Sequence, residues 1–398
     1  EYDFAQLKDS CILIKGARSF AFERLFNHMS LQFHQTVLET NFNSISRNLN
    51  TYRKLIKPST KIMAVVKAEA YGSGSVKMAQ FLDDQKIDYL AVALIDEAIK
   101  IRAANSQLPI MVFNIQDNNL KALWDYNLEP EIYSLTVLKR VLSYAENLQK
   151  KIAVHIKVDS GMHRLGFMPD EVPELIRILG NTDFIQVASI FSHLSASEDE
   201  VHDDYTISQI NYFNAAYKQI SESLGVNPIK HILNTAGVIR FNEHQYDMVR
   251  LGLGLYGIDE TNSKKIQLEK AHTLKARVLQ IKKIERDQTT GYSRAGRVDK
   301  SSLIAIISIG YADGFLRKAG NGHYHIRIGG QNYPTIGNIC MDVCMVDITG
   351  STNIKEGDDA IIFDTENPIE NLARSAGTIS YEIISRIAPR VKRVYVYN

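Results

Sequence analysis

From about residue 33 the chain alternates between two hydrophobic periods. Apolar, β-branched runs of four to seven residues are each followed by a segment whose apolar positions fall at helical spacing. The runs are "IMAVV" (62–66), "YLAVA" (89–93), "IMVF" (110–113), "PEIY" (130–133), "IAVHIKV" (152–158), "IQVASIF" (185–191), "KHILN" (230–234) and "DMVRL" (247–251). Segments such as "SVKMAQFLDDQ", "LTVLKRVLSYAENLQ" and "ISQINYFNAAYKQISESLG" lie between them. Near-continuous apolar strands separated by amphipathic helices predict a parallel sheet covered by helices. Eight such units in roughly 220 residues predict a closed (β/α)8 TIM barrel, an α/β fold.

The pattern changes after about residue 268. "HTLKARVLQIKKIE", "SSLIAIISIGY", "HYHIRIGGQNYPTIG", "MDVCMVDITG" and "DDAIIFD" are short alternating strands divided by Gly, Asn and Asp turns. Helical spacing returns only in "NPIENLARSAGTISYEIISRI". The expected organisation is a barrel over 31–267 followed by a mostly β domain over 268–398, with residues 1–30 standing apart.

Composition changes this picture little. The 398 residues are 45% hydrophobic and 23% charged, with a formal net charge of +1. The interspersed signs give no footprint for nucleic acid and no polybasic membrane patch. No run reaches the length of a transmembrane helix, and three cysteines make no disulfide framework, so a cytoplasmic protein is expected.

Barrel enzymes carry their chemistry at the C-terminal ends of the strands, so the polar groups there matter most. The first run ends in Lys67 and Tyr71, and the fifth runs into "KVDSGMHRLGF" with Lys157 and Arg164. The sixth leads to His193, the seventh to Asn234 and Thr235, and the eighth carries Arg250 into "GLGLYG". That glycine pattern matches G-x-G-x-x-G, but it follows the last strand with no fresh βαβ unit behind it. A phosphate held by backbone N–H groups suits it better than a dinucleotide. A phosphate site beside a strand-end lysine points to pyridoxal phosphate (PLP), whose aldehyde condenses with lysine. An arginine facing the pyridine nitrogen would stay charged and leave that nitrogen unprotonated, and Arg250 is placed for it.

With these residues in view, the chain resembles the alanine racemases. "AVVKAEAYGSG", "KVDSGMHRLGF", "SHLSASEDE", "NTAGVIRF", "MVRLGLGLYG", "SIGYADGF", "GNICMDVCMVDI" and "SYEIISRI" resemble that family's blocks in order over about residues 33–398. The resemblance implies that Lys67 is the Schiff-base lysine and one of two catalytic bases. It implies that Tyr292, in "TTGYSRAG", is the second base and serves the site of the partner subunit in a homodimer. Racemisation needs an acid–base group on each face of the reacting carbon. His193 is expected to link the tyrosine to Arg250, and Arg164 to orient the tyrosine and the substrate carboxylate. Tyr71, Asn234, Thr235, Gly252, Leu253 and Tyr381 are expected at the cofactor, mostly at its phosphate. Tyr311, Met341 and Asp342 are expected to bind substrate and narrow the entrance from the other subunit. Lys157 matches a lysine that some members carbamylate.

The first 30 residues resemble something else. "CILIKGARSFAFERLF" is similar to the C-terminal strand and helix of the ligase that adds D-alanyl-D-alanine to UDP-N-acetylmuramoyl-tripeptide. This implies an upstream ligase domain fused to a racemase that supplies D-alanine for peptidoglycan. A serine or broad-specificity racemase and a non-catalytic scaffold for the ligase are the competing readings. A decarboxylase on the same architecture fits less well, because such enzymes use a carboxylate where Arg250 stands.

Overall fold

The computed structural model describes residues 36–115, 120–261, 263 and 265–397. The ligase-like stretch at 1–30 lies outside them. Nine strands come first: β1 (Val37–Asn41), β2 (Lys61–Val65), β3 (Tyr89–Leu94), β4 (Ile110–Asn114), β5 (Glu129–Ile132), β6 (Ile152–Lys157), β7 (Ile185–Phe191), β8 (Ile229–His231) and β9 (Met248–Leu251). Strands β2 to β9 form one parallel eight-stranded sheet in which β9 returns to pair with β2. The sheet therefore curls into a near-closed barrel. At the seam, Arg250 N–H donates to Leu233 O at 3.0 Å and Asp247 N–H to Lys230 O at 3.1 Å. Every residue of β9 is buried, as a strand covered on both faces requires. All eight runs read from the sequence are barrel strands.

The second domain holds β10 (His272–Ile284), β11 (Thr289–Thr290), β12 (Gly296–Arg297), β13 (Ser302–Ile307), β14 (His325–Ile328), β15 (Gln331–Pro334), β16 (Cys344–Asp347), β17 (Asp359–Phe363) and β18 (Lys392–Val396). Its axis is the 13-residue strand β10, which pairs with β1, β13 and β17. The helices Ile369–Ala376 and Ser380–Ser385 precede β18.

One element departs from the expected division at residue 268. Strand β1 pairs antiparallel with β10 and parallel with β18, so the second sheet takes a strand from the start of the barrel segment. Directly after it the chain enters the helix Phe42–Leu55, capped by the Asn41 side chain, which accepts from the Asn43 and Ser44 N–H groups. The two domains are thus laced together at β1.

His272, the first residue of β10, is buried with its Nε2 2.7 Å from Ser73 Oγ, just beyond the first barrel strand. Burial pushes its imidazole down from 6.5 to about 3. The unfolded chain then takes up a proton near pH 6.5 that the folded chain refuses until about pH 3, so stability falls as pH drops through that window. Urea titrations of His272→Gln between those limits are expected to show a shallower acid loss of stability than the parent.

Candidate active site

The C-terminal ends of the barrel strands enclose a cavity of about 330 Å³. Its walls include Lys67, Tyr71, Lys157, Arg164, His193, Asn234, Thr235, Arg250, Gly252 and Tyr381, ten of the residues singled out from the sequence. Tyr381 comes from the helix Ser380–Ser385, so the second domain supplies part of the wall.

Lys67 opens an unusual turn. Ala68, Glu69, Ala70 and Tyr71 have φ of 53°, 54°, 51° and 53°, a left-handed helical turn made without glycine. Such a backbone costs roughly 1–2 kcal/mol for each L-residue, so its surroundings must hold it. Ala68 N–H donates to Glu97 Oε1 at 2.6 Å. The Glu69 carboxylate accepts from Ser75 Oγ at 2.8 Å and pairs with Lys100 at 2.6 Å. The small residues of "KAEAYGSG" predicted a turn here but not its hand. The Lys67 ammonium is mostly buried beneath the rim and close to Arg164. Burial, and then the Arg164 charge, depress its pKa and favour the nucleophilic neutral amine.

The far end of the cavity suits a phosphate. The rings of Tyr71 and Tyr381 lie 5.9 Å apart, and neither hydroxyl makes a hydrogen bond to the described residues. Thr235 Oγ1 accepts from Gly252 N–H at 3.0 Å, which leaves the threonine O–H free to donate. A Cβ on Gly252 would stand 2.6 Å from the Tyr71 hydroxyl, so only glycine allows this approach. Asn234 acts differently: its Oδ1 accepts from Gly237 N–H at 2.9 Å and Ser197 Oγ at 2.8 Å, capping the turn that presents Thr235. Leu253 is buried in the 3-10 turn Leu253–Tyr256, next to the cavity wall but not on it.

Arg250 is buried at the barrel seam. Its Nη2 donates to Ser192 O and Ile232 O, each at 2.8 Å, and lies 3.1 Å from His193 Nδ1. Nε enters none of these bonds. A guanidinium can only donate, so His193 Nδ1 must accept and its ring proton sits on Nε2. Burial first, then the charges of Arg250 and Lys157, hold His193 neutral, well below the ordinary histidine pKa. Burial brings Arg250 itself down to about 10, still charged at neutral pH.

The sequence reading missed Glu131. It lies in β5, is buried, and places Oε1 3.2 Å from Lys157 Nζ inside the cavity. A carboxylate near the end of the apolar run "PEIY" was the available signal. Burial raises the Glu131 pKa against the lowering influence of Lys157, and burial lowers that of Lys157.

The remaining candidates stand elsewhere. Tyr292, Tyr311 and Met341 are 63%, 42% and 53% exposed on the second domain, and none lines this chain's cavity. Tyr311 N–H donates to Cys340 O and Ala312 N–H to Met341 O, each at 3.0 Å, which fastens two loops together. Arg390 bridges the buried Asp313 at 2.7 Å and Asp342 at 2.8 Å, making Tyr311, Met341 and Asp342 one braced rim.

Comparison with known proteins identifies the family. Residues 40–260 match the family model for the alanine racemase N-terminal domain, and residues 271–395 that for the C-terminal domain. The chain belongs to the alanine racemase family. It is an isomerase of that PLP-dependent family. It is 34% identical to the alanine racemase of Methanococcus maripaludis over 92% of this chain and 99% of that one. The Helicobacter pylori alanine racemase is 33% identical over 90% of this chain and 98% of its own. Among solved structures, the Clostridium difficile 630 alanine racemase superposes with a TM-score of 0.86 at 34% identity, covering 92% of this chain and 96% of that one. The Bartonella henselae alanine racemase with covalently bound pyridoxal phosphate gives 0.83 at 28% identity, covering 91% and 99%. Both family matches begin after residue 39, so the ligase-like reading of 1–30 gains nothing from them.

The buried Lys157–Glu131 pair predicts a coupled loss. Glu131→Gln strands a buried cation beside Arg164 and should destabilise the protein by about 3 kcal/mol, whereas adding Lys157→Met should recover most of it. Denaturant unfolding of the single and double variants measures the difference.

Proposed function

We propose that this chain interconverts L- and D-alanine with PLP, in a homodimer whose two sites each draw residues from both subunits. One observation carries the reading: the cavity holds Lys67, a charged Arg250 and two tyrosine hydroxyls without a hydrogen-bond partner among the described residues, while Tyr292 stands exposed outside it. These residues fit the cofactor. Tyr71, Tyr381, Thr235 and the close backbone at Gly252 would hold the phosphate, with Leu253 N–H beside them. Lys67 would hold the aldehyde carbon, and Arg250 would face the ring nitrogen with its unused Nε–H. When bound, PLP supplies the electron sink that makes the substrate Cα–H acidic.

Everything else is asked of the side chains. Arg250 would donate to the ring nitrogen without protonating it, since a guanidinium gives up its proton only well above neutral pH. Lys67 Nζ takes or returns the Cα proton on one face. Tyr292 of the partner subunit serves the other face. Tyrosine's ordinary pKa near 10 is high for a base, and His193 Nε2–H, fixed as a donor by Arg250, favours the phenolate. Arg164 orients the substrate carboxylate. Tyr311, Met341 and Asp342 narrow the entrance to the partner's site. Lys157 stays an ammonium paired with Glu131, because a carbamate there would set a second buried anion against that carboxylate. The holoenzyme in isotopically labelled bicarbonate is expected to show no carbamate carbon resonance.

D-Alanine supply for peptidoglycan is the role this activity implies. The upstream ligase half rests on residues 1–30 alone, and the size of the native chain in its source cells tests it.

Lys67→Ala and Tyr292→Phe are each expected to lower racemisation by at least about a thousandfold. Lys67→Ala should also lose the absorbance of lysine-linked cofactor. Dissociating and remixing the two variants should restore about a quarter of parental activity, since half the dimers then carry one intact site. No recovery would mean that Lys67 and Tyr292 serve the same site from one chain. A D-amino-acid oxidase-coupled assay across L-alanine, L-serine and L-lysine separates the narrow from the broad-specificity reading.

A further inference from the structure

Four polar side chains that the mechanism does not use connect Arg250 to the opposite mouth of the barrel. Arg250 Nη1 lies 2.8 Å from His231 Nδ1, and His231 Nε2 lies 3.0 Å from Ser189 Oγ. Ser189 Oγ is 2.6 Å from His155 Nδ1, and His155 Nε2 is 2.9 Å from Glu129 Oε2. His231, Ser189 and His155 are fully buried. Glu129 is the first residue of β5, at the N-terminal mouth, away from the cavity.

With both imidazoles neutral and Glu129 ionised, every bond has one direction. Arg250 must donate, so His231 Nδ1 accepts and its proton lies on Nε2. That proton goes to Ser189 Oγ, whose own O–H can then donate to His155 Nδ1. His155 in turn carries its proton on Nε2 and donates it to the Glu129 carboxylate, which only accepts when ionised. All four bonds are satisfied with both imidazoles neutral, and burial and the Arg250 charge do hold His231 well below its ordinary pKa.

The surrounding structure is shaped to this chain. Strands β6 and β7 slip by one residue between Val154↔Val187 and His155↔Ser189, a bulge at Ala188 that brings Ser189 opposite His155. The Phe191 ring stacks on His231 at 4.9 Å and 3°, and Tyr89 meets His155 edge-on at 5.8 Å. The hydrogen-bond partners of Arg250 are two carbonyls and two histidines, with no carboxylate among them. The buried Glu131 carboxylate in the cavity offsets the Arg250 charge through space, while the hydrogen-bonded chain ends on a second carboxylate, Glu129.

We propose that Glu129, His155, Ser189 and His231 form a one-way hydrogen-bond relay that fixes the Arg250 guanidinium toward the cavity. They are positioning residues, since none touches the cavity. The kinetic consequence rests on the role proposed for Arg250, whereas the protonation pattern does not.

Nitrogen NMR of the histidine-labelled holoenzyme reads that pattern directly. The relay requires both His155 and His231 neutral and protonated at Nε2, and either ring protonated at Nδ1 or at both nitrogens overturns it. Ser189→Ala should shift both histidine signals and lower kcat about tenfold with KM for L-alanine changed less than about twofold, and Ser189→Thr should restore both. A Ser189→Ala enzyme with parental kcat overturns the positioning role. If that variant does not fold, Glu129→Leu decides the matter: it removes the acceptor that holds the His155 proton on Nε2, so the His155 signal should shift and kcat should fall. Unshifted histidine signals with parental kcat in Glu129→Leu refute the relay. A holoenzyme without racemase activity but with the stated tautomers refutes the proposed function and leaves the relay intact.

Discussion

A single guanidinium, buried where the barrel closes, ties the fold to the cavity. The Arg250 backbone N–H reaches Leu233 O, and its Nη2 reaches Ser192 O and Ile232 O, so one residue of β9 pins the ends of both β7 and β8. Between β8 and β9 these contacts do the joining that a regular ladder does elsewhere in the sheet. The same charge fixes the tautomers of two histidines and, after burial, is the next cause that keeps both neutral. A lysine could not replace it: a compact ammonium lacks the planar fork needed to reach carbonyls and rings on two sides at once.

The cavity carries an excess of positive charge that follows from this arrangement. Lys67, Lys157, Arg164 and Arg250 face it, and the buried Glu131 offsets one of them. Such a field in a desolvated space suits ligands with anionic groups at both ends, a phosphate and a carboxylate. It adds to burial in shifting Lys67 toward the neutral amine, and it lets a carboxylate stay buried beside Lys157.

Much of this was legible in the sequence because barrel strands are apolar on both faces and barrel chemistry gathers at their ends. That placed Lys67, Arg164, His193, Thr235 and Arg250 at one mouth before any coordinates. Strand β1 was not separable in this way, since five residues with alternate positions buried read alike in either sheet. Glu131 was hidden by its neighbours: a charge inside a short apolar run gives no sign of which face it takes. His155, Ser189 and Glu129 were invisible for a related reason, because their meeting depends on a one-residue slip between β6 and β7. Tyr292 could be found only by resemblance, as its place in one chain is an exposed turn.

The left-handed turn after Lys67 bears on the order in which the molecule is built. Four L-residues do not adopt that hand on their own, so nothing local can nucleate the segment from Ala68 to Tyr71. Beside the local contact from Ser75, it takes partners from a later stretch of chain: Glu97 and Lys100 lie beyond β3, in the helix Ile95–Ala103. The turn can close only after β2 and β3 have paired and that helix has docked. The lysine at its head therefore owes its final position to contacts from the next βα unit, so the cofactor's attachment point is set by neighbouring chain rather than by its own local sequence.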